Sequence, residues 1–248
     1  MNFYDQVLHS LEDAPLLEVR IGLRWTAVVA ETRDGKQCGL STTLLEKHQH
    51  TGEPDIPDAG RLTGTSAVEL AGWIRSEVPL RRSVGCAAIN ALLPQLPQHW
   101  VDDNAVNAIR RRGRDQKVVL IGDFPFASEL REELQDFTVL DEHPEGPVLP
   151  ARAAPDVLPD AGVVAITGMT FINQTLGDLL ALCDPEAYVI ILGPTTPLSP
   201  VLHQHGVDML AGSVVVDIPA VVNALTQGGN FRQLHRAGVR LVLQTQKG

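Results

Sequence analysis

Cysteine, basic residues and long apolar runs are all scarce in this chain of 248 residues. The three cysteines, Cys38, Cys86 and Cys183, stand far apart with no CxxC spacing. That pattern argues against a disulfide framework and against a cysteine-rich zinc site, and it fits a reducing compartment where core thiols are ordinary. No apolar run reaches the roughly 18 to 20 residues that a membrane span requires. The opening "MNFYDQVLHSLEDAP" carries acids and no basic segment, which argues against a secretory leader. We therefore expect a cytoplasmic protein with no membrane partner. Lys and Arg total 20 against 30 Asp and Glu, a net charge of −10, which argues against nucleic acid as a partner. The acid excess is spread evenly along the chain, and nothing in it decides the oligomeric state, so a homo-oligomer stays open.

Catalytic signatures are missing as well. "VVLIGDFPF" holds a single glycine, so neither the GxGxxG dinucleotide fingerprint nor a phosphate-binding P-loop is present. No GxSxG nucleophile elbow occurs.

What is there divides near residue 103. Residues 1–103 open with a helix from Phe3 to Leu11, its apolar positions at helical spacing. Two alternating bursts follow between Leu16 and Thr32, and the Asp34-Gly35 pair predicts a hairpin turn. After a Pro/Asp/Gly-rich loop come two helices. The first has Ser66 as N-cap, with Glu69 in capping-box order, and the second is the small-residue stretch "SVGCAAINALLPQ". This reads as a small α+β domain.

Residues 104–248 alternate apolar strands with helical stretches. The strands are "KVVLIG" (117–122), "FTVLDE" (137–142), "GVVAITG" (162–168), "AYVIILG" (187–193), "VDMLAGSVVV" (207–216) and "VRLVLQTQ" (239–246). Several are apolar on both faces, as parallel strands between two helix layers are. The expected fold class is α/β, with a doubly wound parallel sheet in the second part. The Pro-rich piece from His143 to Pro159 reads as a long surface connection. The basic run "RRRGR" (Arg110 to Arg114) falls at a helix end, where cations suit the dipole; a solvated terminus and a phosphate or partner contact are both open.

In such sheets ligands bind outside the carboxyl ends of the strands, where the strand order reverses. Those ends are marked here by "GDFPF", "TGMTFIN", "GPTTPLSP" and "AGS". Their glycines would let the amides of Gly122, Gly168 and Gly193 approach a ligand. Ser199 before Pro200 reads as an N-cap, and Thr170 or Asn173 as the cap of a helix through Leu182. Together such loops form either ordinary βα turns or an anion site built from amides and dipoles. Asp123 and Glu142 lie at consecutive strand tips, as metal oxygens, as an acid/base pair or simply as exposed loop acids. Asn90 either bonds within the core or reaches the crevice. The two "HQH" pairs, His48 with His50 and His203 with His205, read as surface histidines first. Of the two, His203 and His205 are the metal candidates, because they follow a rim loop.

Taken together, "AAINALL" (87–93), "VVLIGDFPF" (118–126), "ITGMTFINQTLGDLL" (166–180) and "ILGPTTPLSPVLHQHGVDMLAGSVV" (191–215) resemble the putative heavy-metal chelation family. The resemblance implies an enolase N-terminal-like domain followed by a Rossmann-like domain, and links to metal handling and cobalamin-type pathways. The family's motif positions carry over to Asn90, Gly122, Phe124, Pro125, Thr167, Gly168, Thr170, Asn173, Gly193, Pro194, Thr196, Pro197 and Ser199, with Glu142 matching a family glutamate. Met169 stands where a small residue is usual, which narrows the pocket floor if its side chain turns inward. Two readings follow. One is a protein that binds a small anionic metabolite or metal chelate in a crevice between the domains, held by those residues and Thr195. The other is a lyase or transferase acting on such a ligand, with Asp123 and Glu142 as acid/base groups. Literal chelation of a bare heavy metal by side chains ranks below both, because soft metals prefer thiolate and imidazole.

Overall fold

The computed structural model describes residues 2–45 and 53–246. The histidine pair His48 and His50 lies outside them. Among the described residues the chain forms a three-stranded antiparallel sheet and an eight-stranded mixed one. No helix among them is long and apolar enough to cross a membrane.

The first sheet consists of β1 (Leu16–Ile21), β2 (Trp25–Thr32) and β3 (Gly35–Thr42) in that order. Gly35 makes the expected β2–β3 reversal at φ +96°, a conformation that glycine adopts without a Cβ clash. Helices α1 (Phe3–His9), α2 (Ala67–Gly72) and α3 (Pro79–Leu92) pack with this sheet. Helix α3 approaches β3 so closely that a Cβ on Gly39 would sit 2.1 Å from the Ala87 carbonyl oxygen. Ser66 does cap α2, accepting from the Glu69 N–H. The partner that completes this helix start is Asp13, whose carboxylate accepts from the Ser66 hydroxyl and the Val68 N–H.

The large sheet contains β4 (Trp100–Val101), β5 (Val118–Ile121), β6 (Phe137–Asp141), β7 (Leu149–Pro150), β8 (Val163–Thr167), β9 (Tyr188–Leu192), β10 (Met209–Val215) and β11 (Val239–Thr245). Its order is β4-β11-β10-β9-β8-β5-β6-β7. Strands β5 to β10 pair in parallel and step outward in both directions from β5. The strand order therefore reverses between β5 and β8. Helices α4 (Ala105–Arg112), α5 (Ala127–Glu133), α6 (Ala154–Val157), α7 (Met169–Ile172), α8 (Leu176–Leu182), α9 (Pro200–His203), α10 (Ile218–Thr226) and α11 (Phe231–Ala237) fill the connections.

Three details differ from the sequence reading. Strand β11 runs antiparallel to β10, because α10 and α11 form a hairpin that returns the chain at the end it left. "AGS" is not a strand tip: β10 continues through it to Val215, and Gly212 is needed because a Cβ there would meet Leu198 and the Thr196 carbonyl at 2.8–2.9 Å. The connection from 143 to 159 supplies the edge strand β7 and helix α6.

The sheet residues alternate between two cores. Val119, Ile121, Val164, Ile166 and Ile191 face one way, into a core shared with Phe3, Val28, Leu70 and Ile89 of the N-terminal part. Val118, Leu120, Ala165, Ile190 and Leu192 face the other way, toward Ile109 and Leu130. One apolar core thus runs without a break across the expected boundary near residue 103.

Candidate functional site

The loop after β9 is where the two sheets are joined. Thr195 is 2% exposed, and its hydroxyl accepts from the Thr42 N–H at 3.0 Å and pairs with the Thr42 hydroxyl at 3.0 Å. Its carbonyl accepts from the Asn90 side-chain N–H at 3.2 Å and from the Cys86 thiol. Asn90 also donates to Leu40 at 2.8 Å, so one amide clamps β3 to the loop. Tyr4 to the Phe171 carbonyl, Arg82 to Ile172 and Gln174 to Ile74 add further ties between the N-terminal part and the large sheet. Asn90 thus bonds within the core, one of its two expected placements, and Thr195, expected among the ligand-holding residues, faces it across this junction.

The strand-tip glycines have a structural reason too. The N–H of Gly122 donates to Leu140, that of Gly168 to Leu192 and that of Gly193 to Ala211, each at 2.8–2.9 Å. Of the two expected roles, ordinary βα turns or an anion site, these bonds fit the first: the amides extend the parallel ladder by one bond beyond each strand. Gly168 is required because a Cβ there would lie 2.5 Å from the Thr196 hydroxyl oxygen and 2.7 Å from its backbone nitrogen. At Gly122 a Cβ would meet Thr167 and Phe124 at 3.0–3.2 Å, on a backbone with φ +106°.

The expected caps also resolve differently. Thr170 lies inside the short α7 and donates to the Thr167 carbonyl. Asn173 ends α7, and its oxygen accepts from the N–H and hydroxyl of Thr175. Ser199 stands at the N-cap of the four-residue α9, with its hydroxyl fully buried and making no cap bond. His203 is buried against the Val207 carbonyl through Nδ1, while His205 reaches Gln6 through Nε2 and packs edge-on to Phe3. Among the described residues no three His, Cys, Asp or Glu side chains group closely enough to hold a metal ion. Burial pushes the thiols of Cys38 and Cys86 up to about 12 and that of Cys183 up to about 11, so at neutral pH they are neutral S–H groups.

Asp123 and Glu142 are exposed on the adjacent tips of β5 and β6. The Asp123 N–H donates to Asp141, and Asn173 donates across the rim to Glu142 at 3.3 Å. Met169 begins α7 and is 37% exposed.

A pocket of about 660 Å³ opens beside these tips, on the sheet face opposite the N-terminal part. Leu192, Ala211 and Leu243 form its floor and Gly193 with Pro194 one edge. Phe124 and Phe126, stacked with centroids 5.1 Å apart, stand on one side; Phe231 and the half-exposed Leu241 stand on the other. The first turn of α4 closes the rim. Asn104 caps that helix by accepting from the Asn107 N–H. Arg110 at the rim is held by Glu129 at 2.6 Å, by Glu133, and by the Asn107 side-chain oxygen. Two more arginines of the basic run are engaged as well: Arg111 pairs with Asp103, and Arg112 lies over the Tyr188 ring. Of the expected site residues, Phe124 and Gly193 line this pocket, with Pro194 beside them; Asn90 and Thr196 instead border a small cavity at the junction. Leu192, Ala211, Phe231 and Leu241 were not foreseen, since each reads in sequence as an ordinary core or surface apolar residue.

A second hollow of similar size, among Asp160, Asp184, Glu186 and Asp208, opens at the amino ends of the parallel strands. Ligands of open α/β sheets bind at the other end, so the apolar pocket is the better candidate.

Two family models match the chain, one over residues 4–93 and one over residues 104–244, and both are described as putative heavy-metal chelation. An uncharacterized protein of Methanocaldococcus jannaschii is 25% identical over 219 residues, 84% of this chain and 81% of its own length. A crystal structure of a protein of unknown function from the DUF364 family of Desulfitobacterium hafniense superposes with a TM-score of 0.84 at 25% identity, covering 98% of this chain and 97% of that one. A DUF364 protein from Pyrococcus horikoshii shares the fold, with a TM-score of 0.82 at 22% identity over 98% of both chains.

Proposed function

The chain belongs to the putative heavy-metal chelation family, and from that premise we propose that it binds a small metal chelate in the apolar pocket at the carboxyl ends of β5 and β9. The role would lie in metal homeostasis or in metallophore or cobalamin-type metabolism. Family membership supports metal-related binding in general. The finer reading is carried by the pocket, whose volume of about 660 Å³ lies within the usual range of small-molecule sites.

Charge favours a chelate over a free anionic metabolite. Arg110, the cation on the pocket rim, is already opposed by Glu129 and Glu133, so a free anion would meet no unpaired positive charge. In a chelate the metal neutralises its donor atoms and leaves an organic exterior. Such an exterior suits a floor of Leu192, Ala211 and Leu243 and the faces of Phe124 and Phe126. Bare heavy metal fits less well. Soft ions take thiolate and imidazole, whereas Cys38 and Cys86 are buried, neutral thiols and the His203 Nδ1 is committed to a carbonyl.

Native mass spectrometry and thermal-shift titration of wild type and Leu241→Trp test this reading. Leu241 is half exposed, so tryptophan there intrudes on the pocket without disturbing the core. Metal chelates are expected to stabilise wild type and to lose that effect in the variant. A response to bare metal ions that survives Leu241→Trp would overturn the proposal.

A further inference from the structure

A second site lies on the opposite face of the sheet, where β11 and β4 meet the end of α3. Gln244 and Trp100 are directly opposed in the β11–β4 pair, so their side chains emerge side by side on one face. Gln244 is 1% exposed, and neither its amide nitrogen nor its amide oxygen has a hydrogen-bond partner in the protein. The indole Nε1 of Trp100 is buried and equally unpartnered. All three atoms belong to residues lining one small cavity of about 20 Å³, as does the buried and equally unpartnered hydroxyl of Thr196, and Leu93, Leu96, Leu198 and Asn90 close it from the other side. Asn90 cannot serve them as a donor, because its side-chain nitrogen already bonds Leu40 and Thr195.

Buried polar groups left without partners cost about 1–3 kcal/mol each, and native proteins rarely tolerate four together. A cavity needs roughly 10–15 Å³ to hold a water molecule, and that water needs two or more polar partners. This cavity meets the size condition for one water and offers an indole N–H donor, an amide donor, an amide acceptor and the Thr196 hydroxyl. Its lining carries no charge, which disfavours an ion. We infer that it is a built hydration site: one ordered water accepts from the Trp100 N–H and exchanges hydrogen bonds with the Gln244 amide. That water ties β11 to β4 beneath the end of α3 and the loop that carries Thr196. The site is independent of the ligand pocket.

The test is a crystal structure at a resolution showing ordered solvent, together with thermal unfolding of Gln244→Leu. We expect a single solvent peak within hydrogen-bond distance of Gln244 and Trp100 Nε1. We also expect Gln244→Leu to lower the unfolding midpoint by about 2–4 °C, because losing the water strands the indole N–H. A dry cavity, or a Gln244 side chain turned to bond the protein directly, would overturn the inference. So would a rise in the midpoint of Gln244→Leu, since in a dry site leucine merely removes two unsatisfied atoms.

Discussion

Replacing Gly168 by alanine separates two explanations of the glycine at the tip of β8. Its φ is −59°, an ordinary value, so alanine meets no backbone strain there. The added Cβ would instead lie 2.5 Å from the Thr196 hydroxyl oxygen, 2.7 Å from the Thr196 nitrogen and 3.0 Å from its Cα. Two of those atoms are backbone, in a loop that Asn90, Thr42 and Ser213 hold from other sides, so no side-chain rotation relieves the clash. Overpacking of this kind typically costs about 1–3 kcal/mol, reduced by the roughly 0.4–1 kcal/mol that alanine gains through a less free unfolded chain. The middle of those ranges leaves a net cost of about 1.3 kcal/mol, and at about 2–4 °C per kcal/mol for a chain of this size Gly168→Ala should lower the unfolding midpoint by roughly 3–5 °C. Differential scanning calorimetry of both proteins reads this directly. A variant with the wild-type midpoint that no longer binds ligand would refute the packing argument and restore the view that this glycine exists for ligand approach.

Three further outcomes follow. Gly193→Ala, at φ +117° with only the Gly168 nitrogen within 4 Å, meets strain rather than a clash and should cost about 1–2 kcal/mol in calorimetry. Asn90→Ala removes the amide that bridges the Leu40 and Thr195 carbonyls, and denaturant titration should show a loss of about 1–3 kcal/mol. The folded thiols of Cys38 and Cys86 lie near 12, above the ordinary value of 9.0, so the folded state keeps protons that the unfolded state releases. Their stabilising contribution is complete below about pH 9 and is lost as pH rises toward 12; unfolding midpoints across pH 8 to 11 should fall, less steeply in Cys86→Ala.

Much of the fold is legible in local pattern. The Asp34-Gly35 turn, the Ser66 N-cap of α2 and the doubly apolar strands each state their structure within a few residues. Direction is not so encoded: "VRLVLQTQ" reads alike parallel or antiparallel, and only the α10–α11 hairpin decides that β11 reverses. The rim glycines mislead for a related reason. A glycine required by a neighbouring loop, as Gly168 is by Thr196, looks the same in sequence as one required by a ligand. The pocket is hidden because its walls come from separated segments. Phe124 stands in a marked strand tip, whereas Leu192, Ala211, Phe231 and Leu241 meet it only after the sheet is assembled, and none of these four is singled out by charge or chemistry.

Anomalous X-ray scattering from crystals grown with a metal chelate tests the central claim most directly. The account predicts a metal peak inside the pocket bounded by Phe124, Ala211 and Leu241, with no thiol or imidazole at bonding distance. A peak bonded to Cys38, Cys86, His203 or His205, or seated among Asp160, Asp184 and Asp208 at the opposite end of the sheet, would contradict it.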